Sequence, residues 1–316
     1  MSSRPARTAW IEGPSAAAVG DAVRCVAPHL SGDVRLNEMY LSSTPFWQRG
    51  TAWIGNDHVV KFAWSQAAAA ELDRERRVLR ALAGTPFRSW MPPVEATSER
   101  PLLIITRRVD GRPSTGDVGT VAEGLAEALA TLHDPAVHAA VTRAVADLPA
   151  PTPQADTGAI RERLHRFVDA SHTPQIRRWC DWVDEVQAHG IGEPVLLHGD
   201  CHGHNLLVDG GRLQCMLDYG EVAVGDHHFD FRYLPGLQRT IGFFCRAAEG
   251  YEHRTGRAVE PAPVLAWHIR TVLGDALWRS EAGVPLPDRG TVEAWVDGLA
   301  GRIAELAAWR PLAAPP

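Results

Sequence analysis

The sequence predicts an α+β chain of two lobes, a β-rich N-terminal lobe and a mainly helical C-terminal lobe. Three observations carry this prediction. Short strand-like apolar runs crowd into residues 35–106, with a single helical pattern among them. From residue 120 onward, apolar residues recur mostly at helical spacing. One hairpin signal, Asp209-Gly210-Gly211 between two apolar runs, is embedded in that helical half. Asp110-Gly111-Arg112-Pro113 breaks the pattern between the halves, so the lobes are assigned to 1–109 and 110–316.

Taken in order, residues 35–41, 51–54 and 58–63 read as strands. A loop at Ser42-Ser43-Thr44-Pro45 and a turn at Gly55-Asn56-Asp57 separate them. Residues 66–83 form a helix, with Ser65 as N-cap and Gly84 as its stop. Its apolar stripe is Leu72, Val78, Leu79 and Leu82, and Glu75 lies on the same stripe. A carboxylate placed there requires a partner, because an unpaired buried charge is costly. Residues 102–106 are a buried-type strand.

In the C-terminal half, residues 120–133, 157–170, 175–189, 263–281 and 290–309 read as helices. A Pro-rich connection covers 148–156. A short apolar run, Val195-Leu196-Leu197, precedes the hairpin of 206–208 and 213–217. A sheet-rich lobe joined to a helical lobe implies a cleft between them.

Composition narrows the function. Of 316 residues, 45% are apolar and 22% charged, ordinary values for a water-soluble globular enzyme. The formal charge of −6 gives no electrostatic case for nucleic acid or an anionic membrane, both of which favour a basic face. Five scattered cysteines without a C-x-x-C pair read as reduced thiols. The polar N-terminus has no signal-like apolar core, and no apolar run is long enough to span a bilayer. A cytoplasmic protein, monomer or homodimer, is expected. Lys and Arg together number 32, yet Lys61 is the only lysine. A strand that keeps the one ammonium in an arginine-rich chain suggests a site that a guanidinium cannot serve.

The chemistry concentrates in His198-Gly199-Asp200-Cys201-His202-Gly203-His204-Asn205, followed by the hairpin and by Leu217-Asp218. Pairing across Asp209-Gly210-Gly211 brings the Asn205 and Asp218 ends to one edge. Phosphoryl transfer needs such a set. One carboxylate orients the acceptor hydroxyl and takes its proton, an amide and a second carboxylate hold Mg²⁺, and a Lys held by a helix Glu steadies the phosphates. Lys61, Glu75, Asp200, Asn205 and Asp218 supply the parts in a workable order.

With these residues in place, the chain resembles the aminoglycoside phosphotransferase and choline kinase-like family, whose fold is protein-kinase-like. The resemblance rests on Val59-Val60-Lys61, Glu75, His198-Gly199-Asp200 with Asn205, Leu217-Asp218, Gly225-Asp226 and Asp230. Leu129-Ala130-Thr131-Leu132-His133-Asp134 extends it. It implies Asp200 as catalytic base, Asn205 and Asp218 as metal ligands, and Lys61 with Glu75 as the phosphate-positioning pair. It places Ser42 and Ser43 over the phosphates and Thr106 to Val109 against the base of ATP or GTP. Residues 1–109 would then be the nucleotide-binding lobe and 110–316 the catalytic and substrate-binding lobe. Two departures stand out. The loop after Ser42 has no glycine before Gly50, and Tyr219-Gly220 follows the metal Asp where the family often has an aromatic and then an acid.

The resemblance makes a hydroxylated antibiotic the leading acceptor, with resistance as the consequence. A sugar, a choline-like alcohol or homoserine are the competing acceptors. Only eight positions separate Asp218 from Asp226, which leaves no long segment to seat a peptide. A zinc hydrolase built on His198, Asp200, His202 and His204, with His227 and His228 as further ligands, is the rival chemistry. It leaves Lys61, Asn205 and Asp218 without a task. A binding-only version of the fold is the non-enzymatic rival, but neither the base nor a metal ligand is lost. His198, Asp226 and Asp230 are expected to fix loops. Trp267 and Trp278 are expected to pack the core, and Asp230, Asp275 and Glu281 either to meet an acceptor amine or to lie on solvated helix faces.

Overall fold

A computed structural model describes residues 10–37, 48–114, 119–190, 193–237, 241–286, 288 and 290–310. The sequence-predicted loop residues Ser42 and Ser43 lie outside these, as does the end of the strand expected at 35–41.

The N-terminal part opens with helix α1 (Ala16–Val26), capped by Ser15, and strand β1 (Val34–Leu36). Strands β2 (Arg49–Ile54) and β3 (His58–Ala63) follow, then α2 (Gln66–Leu82), β4 (Val94–Glu99) and β5 (Leu102–Arg107). These strands form one antiparallel sheet in the order β1-β2-β3-β5-β4. Alternation explains its two faces. Ala52, Ile54, Val60, Phe62, Leu103 and Ile105 bury one face against Val19 and Val23 of α1. Lys61 points to the other face, toward α2, and Ile104 faces it across β5.

Helix α2 forms because Ser65 accepts from the Ala68 N–H and the apolar stripe repeats at helical spacing. Leu72, Val78, Leu79 and Leu82 are all buried, as the stripe predicts, and Glu75 is buried with them at 1% exposure.

The rest is mainly helical. A two-residue strand β6 (Arg112–Pro113) precedes α3 (Thr120–Leu132), α4 (Pro135–Ala144), α5 (Thr157–Arg163) and α6 (Thr173–Ala188). Then come β7 (Val195–Leu197), β8 (Leu206–Asp209), β9 (Arg212–Met216) and β10 (Ala223–Gly225), and finally α7 (Gly242–Thr255), α8 (Pro261–Ala282) and α9 (Val292–Trp309). The hairpin β8–β9 forms where expected and carries β6 on its outer edge. Strand β7 pairs with β10 instead, so the loop after β7 and the loop after β9 are drawn together.

Several elements differ from the sequence reading. The helix expected over 157–170 ends at Arg163 and gives way to a 3₁₀ turn at Leu164–Arg166. Helices α1, α4 and α7 and strands β4 and β10 add to the pattern. Strand β4 reads Val-Glu-Ala-Thr-Ser-Glu and is half-buried up to the exposed Glu99, so it lacks the apolar alternation that marks a strand; its pairing with β5 makes it one. Among the described residues, no helix is long and apolar enough to cross a membrane.

Candidate active site

The strongest charge cluster joins three separate elements. Lys61 Nζ on β3 donates to Glu75 Oε1 on α2 at 2.5 Å and to Asp218 Oδ1 beyond β9 at 3.0 Å. Glu75 Oε1 also accepts the backbone N–H of Tyr219 at 3.2 Å, so the buried carboxylate ties α2 to the Asp218 segment. Glu71, the other acid near the inner face of α2, pairs with Arg49 at 3.3 Å instead.

Burial opposes both charges of the central pair, yet the pair outweighs it. Desolvation pulls the Lys61 ammonium down, but Asp218 and Glu75 hold it well above its usual range. Desolvation pushes Asp218 up, but Lys61 and Arg49 hold it far below the usual carboxylate range. Both groups are therefore ionised near neutral pH. Asp218 has φ 63°, and among the described residues no other non-glycine has a positive φ. Such a conformation costs about 1–3 kcal/mol and has to be over-determined by its surroundings. Here the bond to Lys61 and the Gly220 N–H reaching back to Asp218 Oδ1 at 3.5 Å do so.

The loop after β7 supplies the second half of the site. Asn205 Nδ2 donates to Asp200 Oδ2 at 2.9 Å and to the Asp200 carbonyl at 3.0 Å. That commitment leaves the amide oxygen as the atom Asn205 can offer to a cation. Leu217 N donates to the Asn205 carbonyl at 2.8 Å, the bond that continues the hairpin pairing and sets Asn205 beside Asp218. His202 Nε2 lies 3.3 Å from Asp200 Oδ2. Burial would raise the Asp200 carboxyl, but His202 and Arg232 together hold it below its ordinary value. Asp200 is thus an ionised acceptor. Glu221 moves the opposite way, raised by burial and by Asp200.

This loop is rigidly held from below. Asp230, wholly buried, accepts from the N–H groups of His198 and Gly199, each at 2.8 Å, and from His133 Nε2 at 3.1 Å. His133 continues to the Tyr251 hydroxyl at 2.9 Å. Arg232 donates to the Gly199 carbonyl at 2.6 Å. Gly199 has to be glycine twice over: its φ is +83°, and a Cβ there would lie 1.9 Å from the Glu221 carbonyl oxygen. Asp230 takes the loop-fixing place expected of it, and so does His198, whose ring nitrogen Nδ1 accepts the Asp200 N–H at 3.3 Å.

Thr106 sits on β5 opposite Val59, and Val109 follows the strand in a stretch tied to the β2–β3 turn by Arg108 N donating to the Asp57 carbonyl at 2.7 Å. Both are half-buried. The acids considered for an acceptor amine already have partners: Asp275 pairs with Arg279 at 2.9 Å and Glu281 with Arg163 at 3.1 Å. Trp267 donates to Asp226 at 3.0 Å and packs edge-on to Phe229, a structural role.

The zinc arrangement proposed for the histidine-rich loop does not assemble. Among the described residues the one metal-like grouping of His, Cys and acids is Asp226, His227 and His228. Most of its ligand atoms are engaged within the protein. His228 bonds Asp226 through Nδ1 at 2.6 Å and the Glu260 N–H through Nε2 at 3.0 Å, and His227 bonds the Ala258 carbonyl at 2.9 Å. A surface hollow of about 500 Å³ lined by Thr85, Glu127, Asp134 and Arg254 contains none of the groups described above.

Sequence reasoning missed Arg49. It lies at the start of β2, and its guanidinium is held above its usual range, against burial, by Asp218, Glu75, Glu71 and Glu221. In a chain full of arginines, one arginine carries no signal. Its position two residues from the partner of Lys61 on the neighbouring strand does.

A model of the phosphotransferase enzyme family matches residues 42–267, and the chain belongs to that family. It is 34% identical over 190 residues to viomycin phosphotransferase of Streptomyces vinaceus, a match that covers 55% of this chain and 65% of that protein. It therefore spans just under two thirds of that relative. Two solved structures superpose closely. The GDP complex of aminoglycoside 2'-phosphotransferase-IIIa has a TM-score of 0.67 at 17% identity, covering 91% of this chain and 98% of that one. Macrolide 2'-phosphotransferase type I has a TM-score of 0.59 at 19% identity, covering 90% and 97%. The fold is thus that of the aminoglycoside phosphotransferases, a protein-kinase-like fold.

Proposed function

We propose that this chain is a Mg²⁺-dependent small-molecule kinase that moves the γ-phosphoryl group of ATP or GTP onto a hydroxyl of an antibiotic. The observation that carries the reading is the convergence of Lys61, Glu75 and Asp218 on one side with Asp200 and Asn205 on the other. Each group then has a task. Lys61, fixed by Glu75, steadies the phosphates. Asp200 receives the acceptor hydroxyl and takes its proton as the oxygen attacks phosphorus. The bond from that oxygen to phosphorus forms as the bond to the departing diphosphate breaks.

Asn205 and Asp218 fit Mg²⁺, because they offer hard oxygens from two adjacent segments and leave the remaining positions to phosphates and water. The ion would neutralise charge on the phosphates. Residues 1–109 act as the nucleotide lobe, with Thr106 and Val109 facing the base, and 110–316 as the catalytic and acceptor lobe. Ser42 and Ser43 are assigned to the phosphates from the sequence. The protein acts in the cytoplasm, where nucleotide is plentiful, and confers resistance on its cell.

The acceptor class follows from the relatives rather than from a pocket. Viomycin phosphotransferase, 34% identical over 190 residues, makes viomycin the first acceptor to try. Aminoglycosides and macrolides come next, since proteins of the same fold are named for them. The test is a coupled assay of ADP or GDP release with Mg²⁺, run against viomycin, aminoglycosides, macrolides, choline, homoserine and simple sugars. Turnover with an antibiotic and not with the metabolites supports the reading. Turnover confined to choline, homoserine or a sugar would replace it with a metabolic kinase.

A further inference from the structure

We propose that Arg49 is a second phosphate-binding cation, working beside Lys61 and held by Glu71 as Lys61 is held by Glu75. The inference rests on the kinase reading above. Strand register puts the two cations on one face. Across β2 and β3, Thr51 is opposite Lys61 and Arg49 is opposite Ala63. Positions two apart on a strand point the same way, so Arg49 stands next to Lys61 on the face turned toward α2. Glu71 and Glu75 are four apart on α2 and share one side of that helix.

The outcome is two parallel rungs between sheet and helix. Lys61 Nζ meets Glu75 at 2.5 Å, and Arg49 Nη1 meets Glu71 at 3.3 Å. The rungs are not equally closed. The Glu75 side chain is 2% exposed, whereas that of Glu71 is 54% exposed. The Arg49 side chain is itself 27% exposed, close to the 25% of Lys61. Both cations are thus sheltered yet partly exposed.

Gly220 shows what Arg49 faces. A Cβ on Gly220 would lie 3.1 Å from Arg49 Nη1, 3.7 Å from Nη2 and 3.5 Å from Asp218 Oδ1. The guanidinium and the Asp218 carboxylate therefore both lie close against Gly220, where a side chain would crowd them. Asp218 is the acid whose charge acts on both cations. Once Asp218 serves a metal ion, each cation retains its helix acid and keeps a free direction toward phosphate oxygens. A guanidinium suits that place, since its planar fork can bind two oxygens of one phosphate.

The test compares wild type, Arg49→Gln and Arg49→Lys for binding of a non-hydrolysable nucleoside triphosphate analogue and of the matching nucleoside, with Mg²⁺, by calorimetry or competition. Loss of a charge-assisted contact predicts roughly 10- to 100-fold weaker analogue binding by Arg49→Gln. Nucleoside binding should be unchanged, and Arg49→Lys should recover part of the loss. If Arg49→Gln does not fold, the same ratio is read from Arg49→Lys. Analogue affinity equal to wild type, or an equal loss for the nucleoside, overturns the role of Arg49. Wild-type protein that binds neither ligand would overturn the kinase reading itself, a distinct result.

Discussion

Two groups of acids around the candidate site are held differently. Beside Lys61, Asp218 bonds a side chain that a ligand can share, and its own side chain is 43% exposed. On the loop side, Asp230 is wholly buried, and its two oxygens are taken up by two backbone N–H groups and His133. Asp200 stands between these cases, hydrogen-bonded by Asn205 but with its side chain 19% exposed. The contrast separates roles within one motif region. An acid with reachable oxygens can serve chemistry, whereas an acid whose oxygens are saturated in the interior serves the backbone.

Substitution in each group should break in its own way. The largest effect is expected from Asp200→Asn. Loss of a positioned base removes about 10²- to 10⁴-fold of kcat. Nucleotide affinity and melting temperature should stay near wild type. A variant with near-native kcat would show that Asp200 is not the base.

Asp230→Ala should act on stability instead. It leaves two buried N–H donors and His133 without an acceptor, and each orphaned buried group costs about 1–3 kcal/mol. Denaturant unfolding should therefore show a loss of several kcal/mol, with any activity loss following from the disturbed loop. Unchanged stability would contradict the scaffold role.

Asp218→Asn is expected to weaken Mg²⁺-dependent nucleotide binding by at least about tenfold, as removal of a charged ligand does. Because Lys61 would keep Glu75, the fold should survive. Equal affinity in the presence and absence of Mg²⁺, unchanged by the substitution, would remove the metal role.

A further effect concerns pH. His268 and His227 are each depressed from 6.5 to about 4, chiefly by burial. Their unfolded forms bind protons that the folded forms refuse. The stability they allow is therefore fully present above pH 6.5 and is lost as pH falls from 6.5 toward 4. For His268, whose ring bonds the Arg232 carbonyl at 2.6 Å, the cost is on the order of 3 kcal/mol. Unfolding of His268→Asn followed between pH 7 and 4 should show a shallower slope than wild type. An identical slope would show that His268 is not a source of the acid sensitivity.

Much of this arrangement was legible in the sequence, and the reasons are local. Lys61 stood out as the only lysine, Glu75 as a carboxylate inside an apolar stripe, and the Asp-Gly-Gly turn fixed which ends of the hairpin meet. The structure pairs Lys61 with Glu75 and sets Asn205 beside Asp218, as that reasoning expected. What stayed hidden depends on contacts between distant segments. Strand β4 has no alternation to reveal it. The β7–β10 pairing joins Leu196 to Val224 across the hairpin. Arg49 gains its meaning from register with β3 and from Glu71, neither of which its own sequence neighbourhood displays.

The central claim is most directly tested by incubating the protein with Mg²⁺, γ-labelled ATP or GTP and viomycin or an aminoglycoside, then locating the label. The account predicts label on a hydroxyl of the antibiotic with wild type and almost none with Asp200→Asn. Label that stays on nucleotide or inorganic phosphate with every antibiotic, or equal transfer by Asp200→Asn, would contradict it.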